Sequence, residues 1–354
     1  MRTLFIGSTV GNSGKTMITI GLAPVLQESG YKVGFFKPLG KQPTMVGGKV
    51  VDADAQFLKE ALHLAEPLEQ ICPVVVTQDL LYKALHGDAG DARARIQKAF
   101  DAVSAGKDVL LMGGAGTLAD GGFLGIPTLS LVRDYKAPVL LVDPYDNQVC
   151  IDCILMAREM LGDALMGVVL NRVTSQGLPE VEQIVVPYLA SKGIEVLGVV
   201  PLDRLLDAVT VRQLVEILQG KVVCGESALD EFVERFSVGA MDTGAALGYF
   251  QRLPNKAVIT GGNRADIQLA ALETSTRCLV LTGDQMPNQI IIARAREAGV
   301  PIVVVSHDTL TTVEKLESVL GRIRIREAPK VRRAQELLRE RLNSRRIIQK
   351  LDLR

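Results

Sequence analysis

The 354-residue chain has no tryptophan and only three histidines, and aromatic residues make up 4% of it. Platforms that stack single-stranded nucleic acid are built from such rings, so that class is disfavoured. Net charge is also missing, because 40 Lys+Arg stand against 40 Asp+Glu. A protein that coats nucleic acid carries a net positive field, which a zero sum does not supply. Long apolar runs are absent too. Val109-Leu110-Leu111-Met112 and Ile302-Val303-Val304-Val305 fall far short of the roughly 20 residues that span a bilayer. The opening Met1-Arg2-Thr3-Leu4-Phe5-Ile6-Gly7 reads as a strand entering a glycine loop, with no room for a signal peptide. Neither membrane insertion nor export is expected, and the expected location is cytoplasmic. The five cysteines are odd in number and scattered, as reduced thiols are. Cys150 and Cys153 lie at i, i+3 in an apolar helical stretch, and packed core thiols are expected there rather than a redox pair. His63, His86 and His307 are isolated, so no zinc-ligand spacing exists.

What is present is the balance of an ordinary folded protein, 47% hydrophobic and 23% charged, long enough for about two domains. Short aliphatic runs alternate with helical periodicity. Strands are expected at Thr3–Ile6, Val33–Lys37, Val109–Met112, Val139–Val142, Met166–Leu170 and Val196–Val200, with helices at Lys15–Glu28, Ala53–Leu62, Ala92–Ala105 and Val149–Leu161. Strands apolar on both faces and separated by helices indicate an α/β fold with a doubly wound, mostly parallel sheet. A second series contains Val222–Cys224, Ala257–Ile259, Cys278–Leu281 and Ile302–Val305, and Gln219-Gly220 marks the expected boundary. The division is therefore 1–218, 219–325 and a tail, 326–354. The tail holds ten Lys/Arg against four Asp/Glu, a net +6 that the remaining residues offset with −6. Val331, Ala334, Leu338, Leu342 and Arg345 fall near one face, giving a basic amphipathic helix. Its expected role is to pack on a partner subunit or an acidic face, with nucleic acid or membrane contact as the alternatives.

The strongest chemical signal is Gly7-Ser8-Thr9-Val10-Gly11-Asn12-Ser13-Gly14-Lys15-Thr16 at the end of the first strand. Strand, glycine-rich loop, Gly-Lys-Thr and helix together make a nucleotide phosphate cradle. Loop N–H groups and the helix N-terminus face the anion. Lys15 is expected at the β- and γ-phosphates and the Thr16 hydroxyl on Mg²⁺. Thr9 occupies the position where the usual pattern has its first glycine.

That variant loop resembles the one in dethiobiotin synthetase and its relatives among the cobyrinate and cobyrate amide synthases. Four further segments match in order: Phe35-Phe36-Lys37-Pro38, Asp52-Ala53-Asp54-Ala55, Gly167-Val168-Val169-Leu170-Asn171-Arg172 and Gly198-Val199-Val200-Pro201. The resemblance covers about residues 1–215. It implies a P-loop nucleotide-binding domain using ATP and Mg²⁺. Thr9, Gly11, Asn12, Ser13, Gly14, Lys15 and Thr16 would cradle the phosphates, with Asn171 and Pro201 at the purine base. Thr16 and Asp54 would hold the metal, and Lys37 would be the catalytic lysine. A lone lysine before proline could equally cap acidic neighbours. One position departs from the family: its Glu-Gly-Ala-Gly loop, whose glutamate binds Mg²⁺, reads Gly113-Gly114-Ala115-Gly116 here. Nucleotide binding is therefore expected with weak or absent hydrolysis, unless Asp143 or water compensates.

Residues 219–325 resemble the DRTGG domain, through Val238-Gly239-Ala240-Met241, Val258 to Asp266 and Leu281-Thr282-Gly283-Asp284. The namesake string is absent, and Thr-Gly-Gly precedes Asn-Arg instead. The two-domain arrangement resembles the N-terminal regulatory region of long-form phosphate acetyltransferases. It implies a homodimer and a small metabolite bound at the DRTGG domain, where the loops Thr260–Asn263 and Thr282–Asp284 would offer N–H groups to an anion. Three functions follow: a regulatory ATP/ADP-binding protein, an ATP-dependent ligase or amide synthase, and a partner-binding scaffold.

Overall fold

The structure, a computed structural model, describes residues 1–145, 149–319 and 325–353. The chain forms two compact units. One is Met1–Leu202 together with the chain from Ile325 onward, and the other is built from 203–319.

In the first unit, β1 (Arg2–Gly7), β2 (Val33–Phe36), β3 (Val109–Gly113), β4 (Val139–Pro144), β5 (Leu165–Val173) and β6 (Val196–Pro201) form one sheet. Its order is β6-β5-β4-β1-β3-β2, and every neighbouring pair is parallel. Leu4, Phe5 and Ile6 of β1 and Val109 to Met112 of β3 are buried, as strands covered on both faces must be. Helices α1 (Lys15–Glu28), α2 (Ala53–Ala61), α3 (Ala92–Ser104) and α4 (Val149–Leu161) lie between strands in sequence. From β1 the chain runs to β2 and β3 on one side, then to β4, β5 and β6 on the other. The strand order thus reverses beside β1, and open α/β sheets bind ligands outside the carboxyl ends at such a point. Cys150 on α4 is buried and Cys153 is half-buried, and neither is in a disulfide among the described residues.

The second unit has the sheet β7 (Lys221–Cys224), β8 (Arg235–Val238), β9 (Lys256–Gly261), β10 (Thr276–Thr282) and β11 (Ile302–Val304), in the order β7-β11-β10-β9-β8. All its pairs are parallel except that of the edge strand β7. Its longer helices are α5 (Val211–Leu218), α6 (Thr243–Gln251), α7 (Ala265–Leu272), α8 (Gln289–Ala298) and α9 (Thr309–Val319). The units divide at Leu202/Asp203, earlier than the 218/219 boundary expected from sequence. The cause is α5, whose Val211, Leu214 and Leu218 share a core with Ala257, Ile259 and Val303. Gln219 is the left-handed C-cap of α5 (φ 52°), and a Cβ at Gly220 would lie 2.4 Å from a Val303 methyl. The glycine signal there is a helix stop packed on a strand, not a linker. The expected second domain also covers 320–324, which lie outside the described residues.

The tail returns to the first unit as two helices, α10 (Ala328–Arg341) and α11 (Ser344–Lys350), where sequence suggested one. Leu342 breaks them apart by turning extended (φ −102°, ψ 127°) and bridging to Gly198 of β6, while Asn343 N–H donates to Leu197 O at 2.8 Å. Ala334, Leu337 and Leu338 are buried, and Leu338 lies so close to Gly21 of α1 that a Cβ there would meet it at 2.2 Å. Arg345 is exposed, off the face assigned to it. The basic charge meets acidic groups of the same unit: Arg339 pairs with Glu28, and Glu195 receives both Arg346 and Lys350 at 2.8 Å. Among the described residues no helix is long and apolar enough to cross a membrane.

Candidate functional site

The loop after β1 is shaped by two left-handed residues, Asn12 (φ 55°) and Gly14 (φ 102°). Glycine is needed at 14 twice over, since a Cβ there would also come within 2.2 Å of Asn171 Nδ2. At Gly11 a Cβ would meet nothing within 4 Å. Among the described residues, the backbone N–H groups from Gly11 to Met17 have no hydrogen-bond partner, and neither does the Thr16 hydroxyl. Such a row of unmet donors at a helix N-terminus is an anion cradle.

Three groups hold this loop from outside. Thr9 gives both its N–H and its hydroxyl to Asp143 at the end of β4, each at 2.9 Å. A glycine at position 9 could make only one of these bonds, which accounts for the threonine. Burial pushes the Asp143 carboxyl above its usual range, against the bonds from Thr9. Asn171 on β5 donates from Nδ2 to Ser13 O at 2.8 Å and accepts from Arg172 N–H at 2.9 Å. Its amide therefore braces the loop with one N–H and one lone pair. The third support is the segment after β3, where Leu118 N–H donates to Ser8 O at 3.1 Å and the Ser8 hydroxyl donates to Gly116 O at 2.6 Å.

Lys15 projects into this enclosure, its ammonium 2.6 Å from both Ser8 Oγ and Gly116 O. Burial lowers its pKa to about 8, although Asp143 pulls the other way. A cation so placed and short of carboxylate ligands is ready for an anionic one.

Lys37, just past β2, is buried and bonded to Asp52 at 2.7 Å and Asp54 at 3.1 Å. Burial disfavours its charge, but Asp54 and Asp52 together outweigh that and raise its pKa. Asp52 in addition caps α2, accepting from Asp54 N–H at 3.1 Å and Ala55 N–H at 3.0 Å. Asp54 also accepts from Gln42 Nε2 at 3.1 Å. Lys37 thus takes up the two carboxylates of the acidic turn, and no cluster of three His, Cys, Asp or Glu suited to a metal occurs among the described residues. Gly113 ends β3 with its Cα side against Phe35, whose ring would stand 2.9 Å from a Cβ. Pro201 closes β6, paired in register with Val173, and among the described residues no hydrogen bond links it to the loop.

In the second unit most of the expected loop donors are spent, Asn263 N–H being the exception among the described residues. Gly262 N–H donates to Thr282 O at 3.3 Å, and Gly283 and Asp284 donate to His307 O and Val305 O at 2.9 Å each. Gln268 Nε2 takes the carbonyls of Gly261 and Gly262 at 3.0 and 3.1 Å. A row of unmet amides like that after β1 is therefore absent from these loops among the described residues.

Comparison with known proteins matches residues 2–210 to an AAA domain family and 213–319 to the DRTGG domain. The phosphate acetyltransferase of Pseudomonas putida is 25% identical over 90% of this chain and 47% of its own length. The ATP-dependent dethiobiotin synthetase of Clostridium kluyveri is 26% identical over 48% of this chain and 73% of its own. The chain spans about half the length of the phosphate acetyltransferases it matches. A solved structure of the CBS and DRTGG domains of the regulatory region of Clostridium perfringens pyrophosphatase, complexed with diadenosine tetraphosphate, covers 46% of this chain and is itself covered to 78%, at 16% identity and a TM-score of 0.29. The chain belongs to this AAA domain family and carries a DRTGG domain after it.

Proposed function

We propose that this AAA domain protein binds ATP or ADP through the loop Gly7–Thr16 and acts as a regulatory sensor with weak or absent hydrolysis. The observation that carries the reading is the row of unmet N–H groups from Gly11 to Met17 with the Lys15 ammonium facing the same enclosure. A triphosphate supplies the oxygens those donors lack. Thr16 would hold Mg²⁺ through its free hydroxyl, and the ion would neutralise phosphate charge. Asp54, the other expected ligand, would first have to leave Lys37. Hydrolysis further depends on a firmly held metal, and Gly113 offers it no carboxylate. Lys37, tied to Asp52 and Asp54, lends no support to a ligase step, so the sensor reading is preferred. Homodimerisation, a cytoplasmic location and a metabolite effector at the DRTGG domain belong to the same reading. That effector would be held largely by side chains, since the amides of Gly262, Gly283 and Asp284 are spent.

The test is calorimetry with Mg-ATP beside a phosphate-release assay on the wild type and on Gly113→Glu combined with Phe35→Leu, the second change making room for the first. Binding without release by the wild type, with release gained by the double variant, is the expected result. Sustained release by the wild type would overturn the sensor.

A further inference from the structure

A second cavity of about 600 Å³ lies in the first unit and shares no residue with the loop Gly7–Thr16. It falls in the size range of small-molecule sites. Its wall is apolar, with Val50 and Val51 from the strand Lys49–Asp52, Leu68, and Ala99 and Ala102 from α3. Cys72 adds a buried thiol whose pKa burial raises, so the wall stays neutral there. Val50 is 46% exposed, an apolar side chain that gains by being covered.

Two cations of α3, Arg95 and Lys98, line the same cavity and stand one turn apart on one face. Lys49, beside Val50 in sequence, is by contrast matched with Glu69. Lys98 makes no hydrogen bond or ion pair among the described residues, and Arg95 gives one N–H to Pro73 O at 2.6 Å, leaving its other donors unused. Glu69, a carboxylate of the lining, is already taken by Lys49. The cavity therefore combines an apolar wall with an uncompensated positive rim.

We propose that this cavity binds an amphipathic small-molecule carboxylate, its aliphatic chain lying against Val50, Val51, Ala99 and Ala102 and its head on Lys98 and Arg95. Such a ligand covers the exposed valine and supplies the charge the rim lacks, and neither half alone does both. An apolar ligand without charge would leave the cations unmet, and a bare anion would leave the wall wet.

Octanoate is the probe, titrated calorimetrically into the full chain, with octanol and acetate as the two halves taken separately. The expected Kd for octanoate is on the order of 1 mM, with each half-ligand at least about tenfold weaker. Lys98→Glu should weaken octanoate at least about tenfold. Ala102→Trp, at an exposed position, should abolish binding by filling the space, with unchanged circular dichroism as the check on folding. Should Ala102→Trp misfold, Lys98→Glu decides alone. Absence of octanoate binding up to about 20 mM, equal binding of octanol, or full binding by a folded variant would overturn the proposal.

Discussion

Both units place glycine loops at the carboxyl ends of parallel strands, yet only one keeps a continuous row of amides free. After β1 the N–H groups from Gly11 to Met17 are unmet, whereas after β9 and β10 those of Gly262, Gly283 and Asp284 are bonded to Thr282, His307 and Val305. The glycines also answer different needs. A Cβ at Gly11 would meet open space, while one at Gly262 would lie 2.4 Å from Gln285 O. Glycine at 262 lets backbones pack, and at 11 it leaves the face of the loop open. What separates a binding loop from a turn is where the backbone donors go.

The sharpest way to break this contrast is to substitute on both sides. Lys15→Ala should weaken Mg-ATP binding by about 100-fold or more, the loss of a buried charge-assisted contact. Gly262→Ala should leave nucleotide affinity within about twofold and instead cost the second unit about 1–3 kcal/mol through backbone crowding. Calorimetry and denaturant unfolding on the two variants read both quantities. Nucleotide binding lost in Gly262→Ala while the protein stays folded would erase the distinction.

A smaller effect follows from the Lys15 pKa of about 8. The nucleotide-free protein gives up that proton as pH rises through 8, so Mg-ATP affinity should fall by up to about tenfold per pH unit above it. Stability runs the opposite way. Between about 8 and the ordinary 10.5 the unfolded chain binds more protons than the folded one, so the lysine's burial becomes less costly as pH rises. Lys256 in the second unit is also lowered to about 8 by burial, but its ammonium rests on Thr274 Oγ1 and Ser275 O. Lys256→Met should therefore leave the pH profile of nucleotide binding unchanged, whereas Lys15→Arg should flatten it.

The same contrast explains what sequence could and could not convey. The bounds of α1 and α4 are readable because periodicity is local, and the phosphate loop is readable because ten consecutive residues carry it. Asp143 is readable as a strand-end carboxylate that could compensate for Gly113, but its bond to Thr9 is not, because it joins positions 134 residues apart. Gln219-Gly220 looked like a boundary because a helix stop and a linker use the same residue types. The tail's heptad-like face hid the break at Leu342, where the chain meets Gly198 and Leu197 of β6 and Asn343 caps the next helix by accepting from Arg346 N–H. The Lys37 site was legible as residues with two alternative roles, and the ion pairs to Asp52 and Asp54 match the one in which the lysine caps acidic neighbours.

The smallest effect concerns how each unit is completed. The second is one continuous stretch of chain, while the first borrows α10 and α11 from the far end. Glu195 joins that return, held below the usual carboxylate range by Arg346 and then Lys350. Its side chain is 38% exposed, so solvent screening limits the pairs to about 0.5–1 kcal/mol together. Glu195→Gln should therefore lower the melting temperature of the first unit by about 1–3 °C and leave the second unit's transition in place. The wild-type advantage should shrink in about 1 M salt, and it should fade as acid protonates the carboxylate, because a depressed pKa stabilises only above it. An equal shift in both transitions would mean that the tail braces the whole chain, and the absence of any shift at low salt would mean that apolar contacts such as Leu338 against Gly21 hold it unaided.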